Sequence, residues 1–396
     1  MQKILFIHSK MGMGGLERVM INLMKATTDF EIHLGLLDID NGELIKEVPK
    51  NVTIIKMPID KRFYYQLDST ISNKQVFKIA LKKGRFIKAF SIFIKKIFNT
   101  SMPKSSSWKK IENFPNEYDI VVCYDFKQTP LMKYCATKVN AKVKVAWMHD
   151  NLEETKYNPN HFYKLAKDFR YVFANGRHVH NINANILKKH SSKIKIMYNI
   201  IDFDNMKMLA SSIDNLSSIF LETQDTKIIS IGALSYGKGY DIALDVAKRL
   251  KEDKCKFRWF IIGDGDKKEE IRQKIIEYNL ENYFFLLSNQ LNPYSYLANS
   301  DIFVHCSRHE SYCTVINEAR FFCVPTVTTL VGGVDEMIVD GTTGLIAKTE
   351  AEDIYRKVKF LFEENRREEM RANQKSILFE NIDANKLWHD IYEGEL

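Results

Sequence analysis

The stretch KILFIHSKMGMGGLERVMINLMKA, residues 3–26, opens the chain with the pattern of a strand, a glycine turn and a helix. Lys3 to His8 is an apolar run of strand length, Gly12 to Gly15 supplies the turn, and Leu16 to Ala26 has apolar residues at helical spacing. Further strand-like runs alternate with helix-like segments; they are Ile32 to Leu37, Val52 to Met57, Ile120 to Tyr124, Val143 to Met148 and Tyr171 to Ala174. Such alternation is typical of a mostly parallel sheet covered by helices.

A second series of the same kind begins near Lys227. Its strand-like runs are Ile228 to Ile231, Phe257 to Ile262, Phe284 to Leu287, Ile302 to His305, Pro325 to Thr328 and Leu345 to Ala347. Because 396 residues are too many for one ordinary core, we predict two Rossmann-like α/β domains that face each other across a cleft. We expect them to span residues 1–204 and 205–380, with a C-terminal helix in 381–396 that packs back toward the first domain.

The composition fits a globular protein and excludes several classes. The chain is 45% hydrophobic and 27% charged, and it has no run of about 18 uncharged apolar residues that would predict a membrane span. Its N-terminal apolar run is too short for a signal peptide, so we predict a cytoplasmic protein. The six cysteines are scattered without a Cys-x-x-Cys pair, which is the pattern of reduced, buried thiols rather than of a zinc or redox site.

The net charge of +8 is concentrated in residues 73–110, which contain eleven Lys or Arg and no Asp or Glu. Between Val76 and Phe98 aromatic and aliphatic residues recur mostly every three or four positions, so a helix there would have an apolar face beside a lysine-rich one. Such a helix suits an anionic membrane surface, and we predict a peripheral position at the inner face of the cell membrane. The alternative is a helix packed on the first domain with solvated lysines. No nucleic-acid-binding motif accompanies the charge.

The segment Arg308 to Ala319 has the most specific pattern for chemistry. Its two carboxylates, Glu310 and Glu318, are separated by seven residues, and a helix is predicted to begin near Thr314. The backbone N–H groups at that helix start, from Tyr312, Cys313 and Thr314, would form a site for a phosphate. Taken alone, the same pattern also fits an ordinary amphipathic helix with two solvated carboxylates.

Four further motifs accompany the paired glutamates in a fixed order. They are Tyr198 to Asp202, the loop Ile231 to Asp241 with Gly237-Lys238-Gly239, the turn Ile262 to Gly265, and the glycine-containing stretch Leu330 to Gly344. Together with Glu310 and Glu318 they resemble the retaining glycosyltransferases of the family 4 type, also called glycosyl transferases group 1, whose fold is GT-B. The resemblance covers most of residues 198–347.

This resemblance implies roles for residues of the second domain, which would bind the donor. Lys238 would neutralise the diphosphate of a sugar nucleotide, Glu318 would hold the ribose hydroxyls, and Glu310 would contact the donor sugar. Ala233 would also belong to the donor site, at a position where the family often has an arginine. Arg308 is a candidate replacement for that missing cation.

In the first domain, which would bind the acceptor, Gly14 and Gly15 resemble the N-terminal glycine loop of the family, which approaches the donor phosphates and the acceptor. The resemblance implies that Gly14 and Gly15 bind the donor. His149 ends an apolar strand, and the resemblance implies that it faces the donor sugar or the reacting centre. Asn175 and Arg177 follow the next strand and are candidate contacts to donor or acceptor. Nicotinamide binding by the glycine loop is less favoured, because the loop is not a clean G-x-G-x-x-G.

We therefore predict a retaining transferase that moves a hexosyl-type sugar from a nucleotide sugar, UDP-sugar favoured and GDP-sugar possible, to a glycan or lipid-linked glycan acceptor. The catalytic residues would be Lys238, Glu310 and His149, and we expect neither a metal nor a cofactor. Two alternatives stay open: a sugar-nucleotide epimerase, which shares the two-domain fold, and a non-catalytic scaffold that binds nucleotide sugar.

Overall fold

Two parallel sheets with the same strand order dominate the computed structural model, which describes residues 1–40, 42–59, 108, 111–125, 129–153, 159–213, 216–377, 379 and 382–396. The basic stretch 73–110, for which we predicted a membrane-binding helix, lies outside this range except for Trp108. None of the helices within the described ranges is both long and apolar enough to cross a membrane.

The first sheet has seven strands in the order β3-β2-β1-β4-β5-β6-β7, with every neighbouring pair parallel. Its strands are β1 Lys3–His8, β2 Glu31–Leu36, β3 Thr53–Lys56, β4 Glu117–Cys123, β5 Asn140–Met148, β6 Tyr171–Ala174 and β7 Ile194–Ile196. The helices described with it are α1 Gly15–Ala26, α2 Thr129–Lys138, α3 Pro159–Ala166 and α4 Arg177–Ile186. The sequence missed only β7, because a three-residue edge strand is too short to show a period.

The second sheet has six strands in the order β10-β9-β8-β11-β12-β13, again all parallel. Its strands are β8 Thr226–Ile231, β9 Phe257–Ile262, β10 Phe284–Leu286, β11 Ile302–His305, β12 Thr326–Thr329 and β13 Leu345–Ala347. The remaining helices are α5 Phe203–Ala210, α6 Ser218–Glu222, α7 Tyr240–Glu252, α8 Lys268–Glu277, α9 Tyr294–Ala298, α10 Thr314–Phe321, α11 Ala351–Phe360, α12 Glu364–Lys375 and α13 Ala384–Glu393.

Alternate residues of the second sheet enter separate hydrophobic cores. Trp259 and Val304 join the core that contains α7 and α11, whereas Phe260 and Phe303 join the core that contains α10. This is the two-residue period of a strand with both faces covered. His305 follows Phe303 on the α10 face, and the two rings are nearly parallel with centroids 6.1 Å apart.

The chain divides into two compact units. The first contains Met1–Asn175, Val179–Tyr198 and Ile382–Leu396, and the second contains Gly176–His178 and Asn199–Asn381. Residues 199–204 thus pack with the second unit, although the sequence placed the boundary after residue 204; Phe203, for example, stacks on Phe321 with centroids 4.8 Å apart.

The C-terminal helix α13 packs within the first unit. Trp388 is fully buried against Phe6, and its Nε1 donates to Thr27 Oγ1 over 2.7 Å. The Asn385 amide bonds Thr28, and Arg170 donates to the carbonyls of Ile391 and Tyr392. The buried Trp388 side chain therefore fixes helix α13, and hydrogen bonds before and after this residue hold the helix in place.

Candidate active site

Lys238 ends a short 3-10 turn, Tyr236–Lys238, in the loop between β8 and α7. The next residue, Gly239, has a φ of 66°, and a Cβ at this position would lie 2.0 Å from the carbonyl oxygen of Cys306. Only glycine avoids both the left-handed strain and this clash. The turn is closed from the other side, where the backbone N–H of Arg308 and the hydroxyl of Ser307 donate to the Gly237 carbonyl over 2.7 and 2.9 Å. Lys238 is thereby fixed beside the loop that follows β11.

Arg308 does not take the place of the arginine that is absent at Ala233. Its guanidinium forms a bidentate pair with Asp241 at 2.7 and 2.8 Å and lies 4.2 Å from the Tyr236 ring centroid. The hydrogen bonds from Arg308 lower the pKa of the Asp241 carboxyl. Arg308 thus braces the turn that carries Lys238.

Glu310 lies in the loop between β11 and α10, and a glycine pair supports its backbone. Gly332 has a φ of 52°, and a Cβ there would be 2.1 Å from the Glu310 carbonyl oxygen. Gly333 donates its N–H to the Ser311 carbonyl over 3.3 Å. The glycines that we assigned by resemblance to the stretch after the signature helix therefore allow close backbone packing against the Glu310 loop.

The Glu310 carboxylate is the centre of a buried polar cluster. Its Oε1 accepts a hydrogen bond from the Lys238 ammonium and lies 2.7 Å from His305 Nε2. The sulfur of Cys313 is 3.5 Å from the same histidine nitrogen. The side chains of His305 and Glu310 are 5% and 11% exposed, so these contacts are made away from bulk water.

The charges in this cluster compensate one another. Burial opposes ionisation of Glu310, but the hydrogen bond from His305 and the charges of His305 and Lys238 outweigh it and lower the pKa of Glu310 to about 2. Burial likewise opposes protonation of His305, yet Cys313 and Glu310 raise the pKa of His305 to about 9. At neutral pH the cluster is a carboxylate between two cations.

His305, Glu310 and Cys313 also bring a nitrogen, an oxygen and a sulfur ligand atom within 4.8 Å of one another. These are atom types that bind zinc. The Lys238 ammonium contacts the same carboxylate oxygen and already supplies a positive charge there. We therefore treat the cluster as an ion-pair network, and our expectation of a metal-free site stays a prediction.

The helix α10 begins beside this cluster, as the sequence predicted. Cys313 is its N-cap and has extended backbone angles without a side-chain cap. The Thr314 hydroxyl accepts from the Asn199 amide over 3.0 Å, and the Tyr312 hydroxyl accepts from Asn317 over 2.7 Å. Glu318 is one turn into the helix and buried. The structure thus brings Lys238, Glu310 and the predicted phosphate-binding residues Tyr312 to Thr314 together in one unit.

Arg177 belongs to the second unit by its contacts, although it begins helix α4. The carboxylate of Glu336 accepts the backbone N–H groups of Arg177 and His178, both over 2.8 Å. Glu336 therefore holds the backbone of Arg177 and His178 within the second unit. The Arg177 guanidinium stays 63% exposed.

His149 and Asn175 are held together in the first unit, at the carboxyl ends of β5 and β6. His149 Nε2 donates to the Tyr124 carbonyl over 2.8 Å, and its ring is parallel to Trp147 at 6.2 Å. Asn175 donates to the His149 carbonyl over 3.1 Å. The Asn175 side-chain amide thus supports the His149 backbone.

The glycine loop of the first unit contains a second histidine–glutamate contact. Gly14 is the N-cap of α1, and a Cβ there would be 2.1 Å from Glu17 Oε2, whereas Gly15 has open space around it. The other oxygen of Glu17 lies 3.4 Å from Nε2 of the buried His8. Burial opposes ionisation of Glu17, but the bond to His8 outweighs it and lowers the pKa of Glu17.

Sequence reasoning missed His8 and His305 as site residues. Both are polar residues at the end of an otherwise apolar parallel strand, where ligands of open α/β sheets gather. The same position drew attention to His149, so the signal was present for all three histidines.

Comparison with known proteins identifies similar sequences and similar folds. Residues 212–377 match the family model of the glycosyl transferases group 1. Over 200 residues, 50% of this chain, the sequence is 29% identical to N-acetylgalactosamine-N,N'-diacetylbacillosaminyl-diphospho-undecaprenol 4-alpha-N-acetylgalactosaminyltransferase of Campylobacter jejuni and covers 52% of that protein. Over 188 residues, 47% of this chain, it is 29% identical to a 41.2 kDa protein in the cps region of Klebsiella pneumoniae, again covering 50% of the relative. The chain thus spans about half the length of these curated relatives.

Among solved structures, Anabaena Alr3699/HepE in complex with UDP and glucose is similar over 100% of this chain and 99% of its own. The TM-score is 0.71 at 19% sequence identity. This likeness concerns the fold, and it extends over both sheets. The match to the glycosyl transferases group 1 thus covers residues 212–377, and the two parallel-sheet α/β domains have the GT-B fold.

Proposed function

We propose that the protein is a retaining glycosyltransferase that moves a hexosyl-type sugar from a nucleoside-diphosphate sugar, in first place a UDP-sugar, to a lipid-linked or surface-glycan acceptor. Its place would be polysaccharide, capsule or lipooligosaccharide biosynthesis at the inner face of the cell membrane. The observation that carries the proposal is the Lys238–Glu310 contact beside the N-terminus of α10. The named activity of the Campylobacter relative and the UDP bound to the Anabaena protein support the donor and acceptor classes.

In this scheme the second unit stabilises the leaving group. Lys238 would turn its ammonium to the diphosphate, and the backbone N–H groups of Tyr312 to Thr314 would bind the phosphate oxygens at the positive end of α10. Because negative charge grows on the diphosphate as the glycosidic bond breaks, these groups bind the transition state more strongly than the intact donor. Glu318 would hold the ribose hydroxyls.

Glu310 would contact the donor sugar, and the acceptor would attack from the face that the leaving group occupies, with a phosphate oxygen of the donor taking its proton. Gly14 and Gly15 would bind the donor, and His149 would face the donor sugar or the reacting centre. Asn175 and Arg177 would contact the sugar or the acceptor. Protein cations and amides would replace a metal ion on the diphosphate.

A thermal-shift screen with UDP-, GDP- and ADP-sugars, combined with donor hydrolysis, tests this proposal. Lys238→Ala and Glu318→Ala are compared with matched controls, the exposed Lys348→Ala and Glu277→Ala. One nucleotide class should raise the Tm of the wild type and both controls but not of the two site variants. A protein that no nucleotide sugar stabilises would contradict the proposal, and an epimerised sugar nucleotide formed without acceptor would identify an epimerase instead.

A further inference from the structure

His305 has no role in the site derived from sequence, yet it contacts the Glu310 carboxylate directly. Its Nε2 is 2.7 Å from Oε1, and the imidazole is 5% exposed at the end of β11. A buried strand and the parallel Phe303 ring fix the position of the histidine, whereas Glu310 lies in a loop. The rigid partner in this pair is therefore the histidine.

The protonation of His305 follows from its neighbours. Nε2 lies near two groups, Oε1 of Glu310 at 2.7 Å and Sγ of Cys313 at 3.5 Å. If Nε2 lacked a proton, its lone pair would face a carboxylate oxygen that Lys238 keeps ionised, which is repulsive. Nε2 must then donate to Glu310, and Cys313 contacts a nitrogen that has no free lone pair.

Both hydrogen-bonding partners of the Glu310 carboxylate, counted over the described residues, converge on Oε1. Of these two cations, only Lys238 is on a flexible side chain within reach of a diphosphate under the proposed function. When its ammonium turns to the donor, Glu310 loses one of its two positive partners while it stays buried. An unpaired buried carboxylate tends to take up a proton or to move toward water.

We propose that His305 is a positioning residue for Glu310, which holds the carboxylate ionised and in one orientation toward the donor sugar once Lys238 has turned to the diphosphate. This inference rests on the proposed function. Glu310 would keep its hydrogen bond to His305 throughout, whereas its bond to Lys238 would break when the donor binds. Replacement of His305 should therefore lower kcat more than it weakens donor binding.

The test measures kcat and the KM for the nucleotide sugar in His305→Leu and His305→Gln, with His309→Gln as matched control because His309 is exposed in the same loop. We expect His305→Leu to lower kcat by roughly 100-fold, at the lower end of the range for removal of one preorganised donor, while KM changes less than about threefold. Glutamine retains an N–H donor without the charge, so His305→Gln should lie between leucine and wild type. Unchanged kcat in a folded His305→Leu protein, or a loss confined to KM, would overturn the proposal.

The pH profile separates positioning from general damage to the fold. The groups that face the pair are Lys238 and the Tyr240 hydroxyl for Glu310, and the Cys313 thiol for His305. Without the imidazolium, Glu310 takes up a proton more readily, so the acidic limb of kcat should move to higher pH in His305→Gln and stay in place in His309→Gln. An acidic limb at the same pH in both variants would contradict the proposed role.

A readout without turnover keeps this inference distinct from the proposed function. In protein labelled with ¹³C at histidine Cε1, the His305 signal is identified by its loss in His305→Gln and is titrated in wild type and in Glu310→Gln. We expect the pKa of His305 to fall in Glu310→Gln, even if no nucleotide sugar binds and the proposed function fails. An unchanged titration would overturn the His305–Glu310 coupling whatever the protein's activity.

Discussion

The two sheets have the same strand order around their first strand, but the polar groups at their carboxyl ends are satisfied to different degrees. In the second unit Lys238, His305 and Glu310 pair with one another, and the Tyr240 hydroxyl donates to the Gly232 carbonyl over 3.0 Å. In the first unit four buried polar atoms at this edge lack a hydrogen-bond partner among the described residues. They are His8 Nδ1, Tyr124 Oη, Trp147 Nε1 and Asn175 Oδ1.

This difference concerns the strand ends only, because the second unit has other buried polar atoms without a hydrogen-bond partner among the described residues, such as Asn199 Oδ1. Buried polar groups in proteins are nearly always hydrogen-bonded, so four unpaired atoms in one place are unusual. At its strand ends the second unit has an ion-pair network. At the strand ends of the first unit the rings of Tyr124, Trp147 and His149 contact one another. The two units thus have the same type of sheet but different polar groups at its strand ends, as expected because function depends on the site and not on the fold.

The largest expected effect concerns what holds the first unit together. Trp388→Ala removes a fully buried side chain that packs on Phe6 and bonds Thr27, so it should cost about 3–5 kcal/mol of unfolding free energy. Chemical denaturation measures this, with Trp388→Phe as the matched variant that retains most of the packing. A cost below 1 kcal/mol in the alanine variant would mean that α13 is not part of the folded core.

Gly239→Ala should break the second unit's site by strain. At a φ of 66° and with Cys306 oxygen 2.0 Å from the added Cβ, the variant should lose about 2 kcal/mol or more of stability. It should also lose donor hydrolysis, because Lys238 adjoins the distorted residue. Gly237→Ala is the control, since an added Cβ there meets nothing closer than 4.0 Å. Equal effects of the two substitutions would refute the geometric explanation.

The sequence predicted most of this architecture because its signals are local. Strands such as Phe257–Ile262 and Ile302–His305 appear in the structure with the predicted bounds, since apolar runs between turn residues specify a fully covered strand. The start of α10 and the loop glycines were likewise visible as motifs.

Pairings across the chain were not visible. Nothing near His305 in the sequence shows that this histidine and Lys238 would both contact Glu310 Oε1. Lys238 is 72 residues from Glu310 along the chain. Nor does the sequence show that Arg308 would pair with Asp241, or that Glu336 would bind the backbone N–H of Arg177. These contacts depend on how strands and loops meet in space.

The His305–Glu310 pair of the second unit should make the free energy of unfolding depend on pH. The pKa of folded His305 is about 9 against an ordinary 6.5, so the folded state holds a proton that the unfolded chain releases, and stability should fall as pH rises from 6.5 through 9. Glu310 has a pKa of about 2 against 4.5, so its contribution is present above pH 4.5 and is lost as pH falls toward 2. Urea denaturation across this range should show a smaller alkaline loss in His305→Gln than in wild type. A parallel decline in both proteins would exclude His305 as its source.

The smallest effect comes from removing one hydroxyl in each unit. Tyr240→Phe leaves the Gly232 carbonyl without its donor and should cost about 1 kcal/mol of unfolding free energy. Tyr124→Phe removes a buried hydroxyl that has no hydrogen-bond partner among the described residues. Its stability should be unchanged or slightly higher, because a desolvated group is deleted and no such bond is lost. Denaturation of the two variants side by side measures the difference, and a cost for Tyr124→Phe equal to that for Tyr240→Phe would show that the first unit satisfies this hydroxyl after all. If Tyr124→Phe leaves stability unchanged but raises the KM for acceptor, the acceptor is the hydrogen-bond partner of this hydroxyl. The polar groups at the strand ends of the second unit would then bond one another, whereas those of the first unit would bond the substrate.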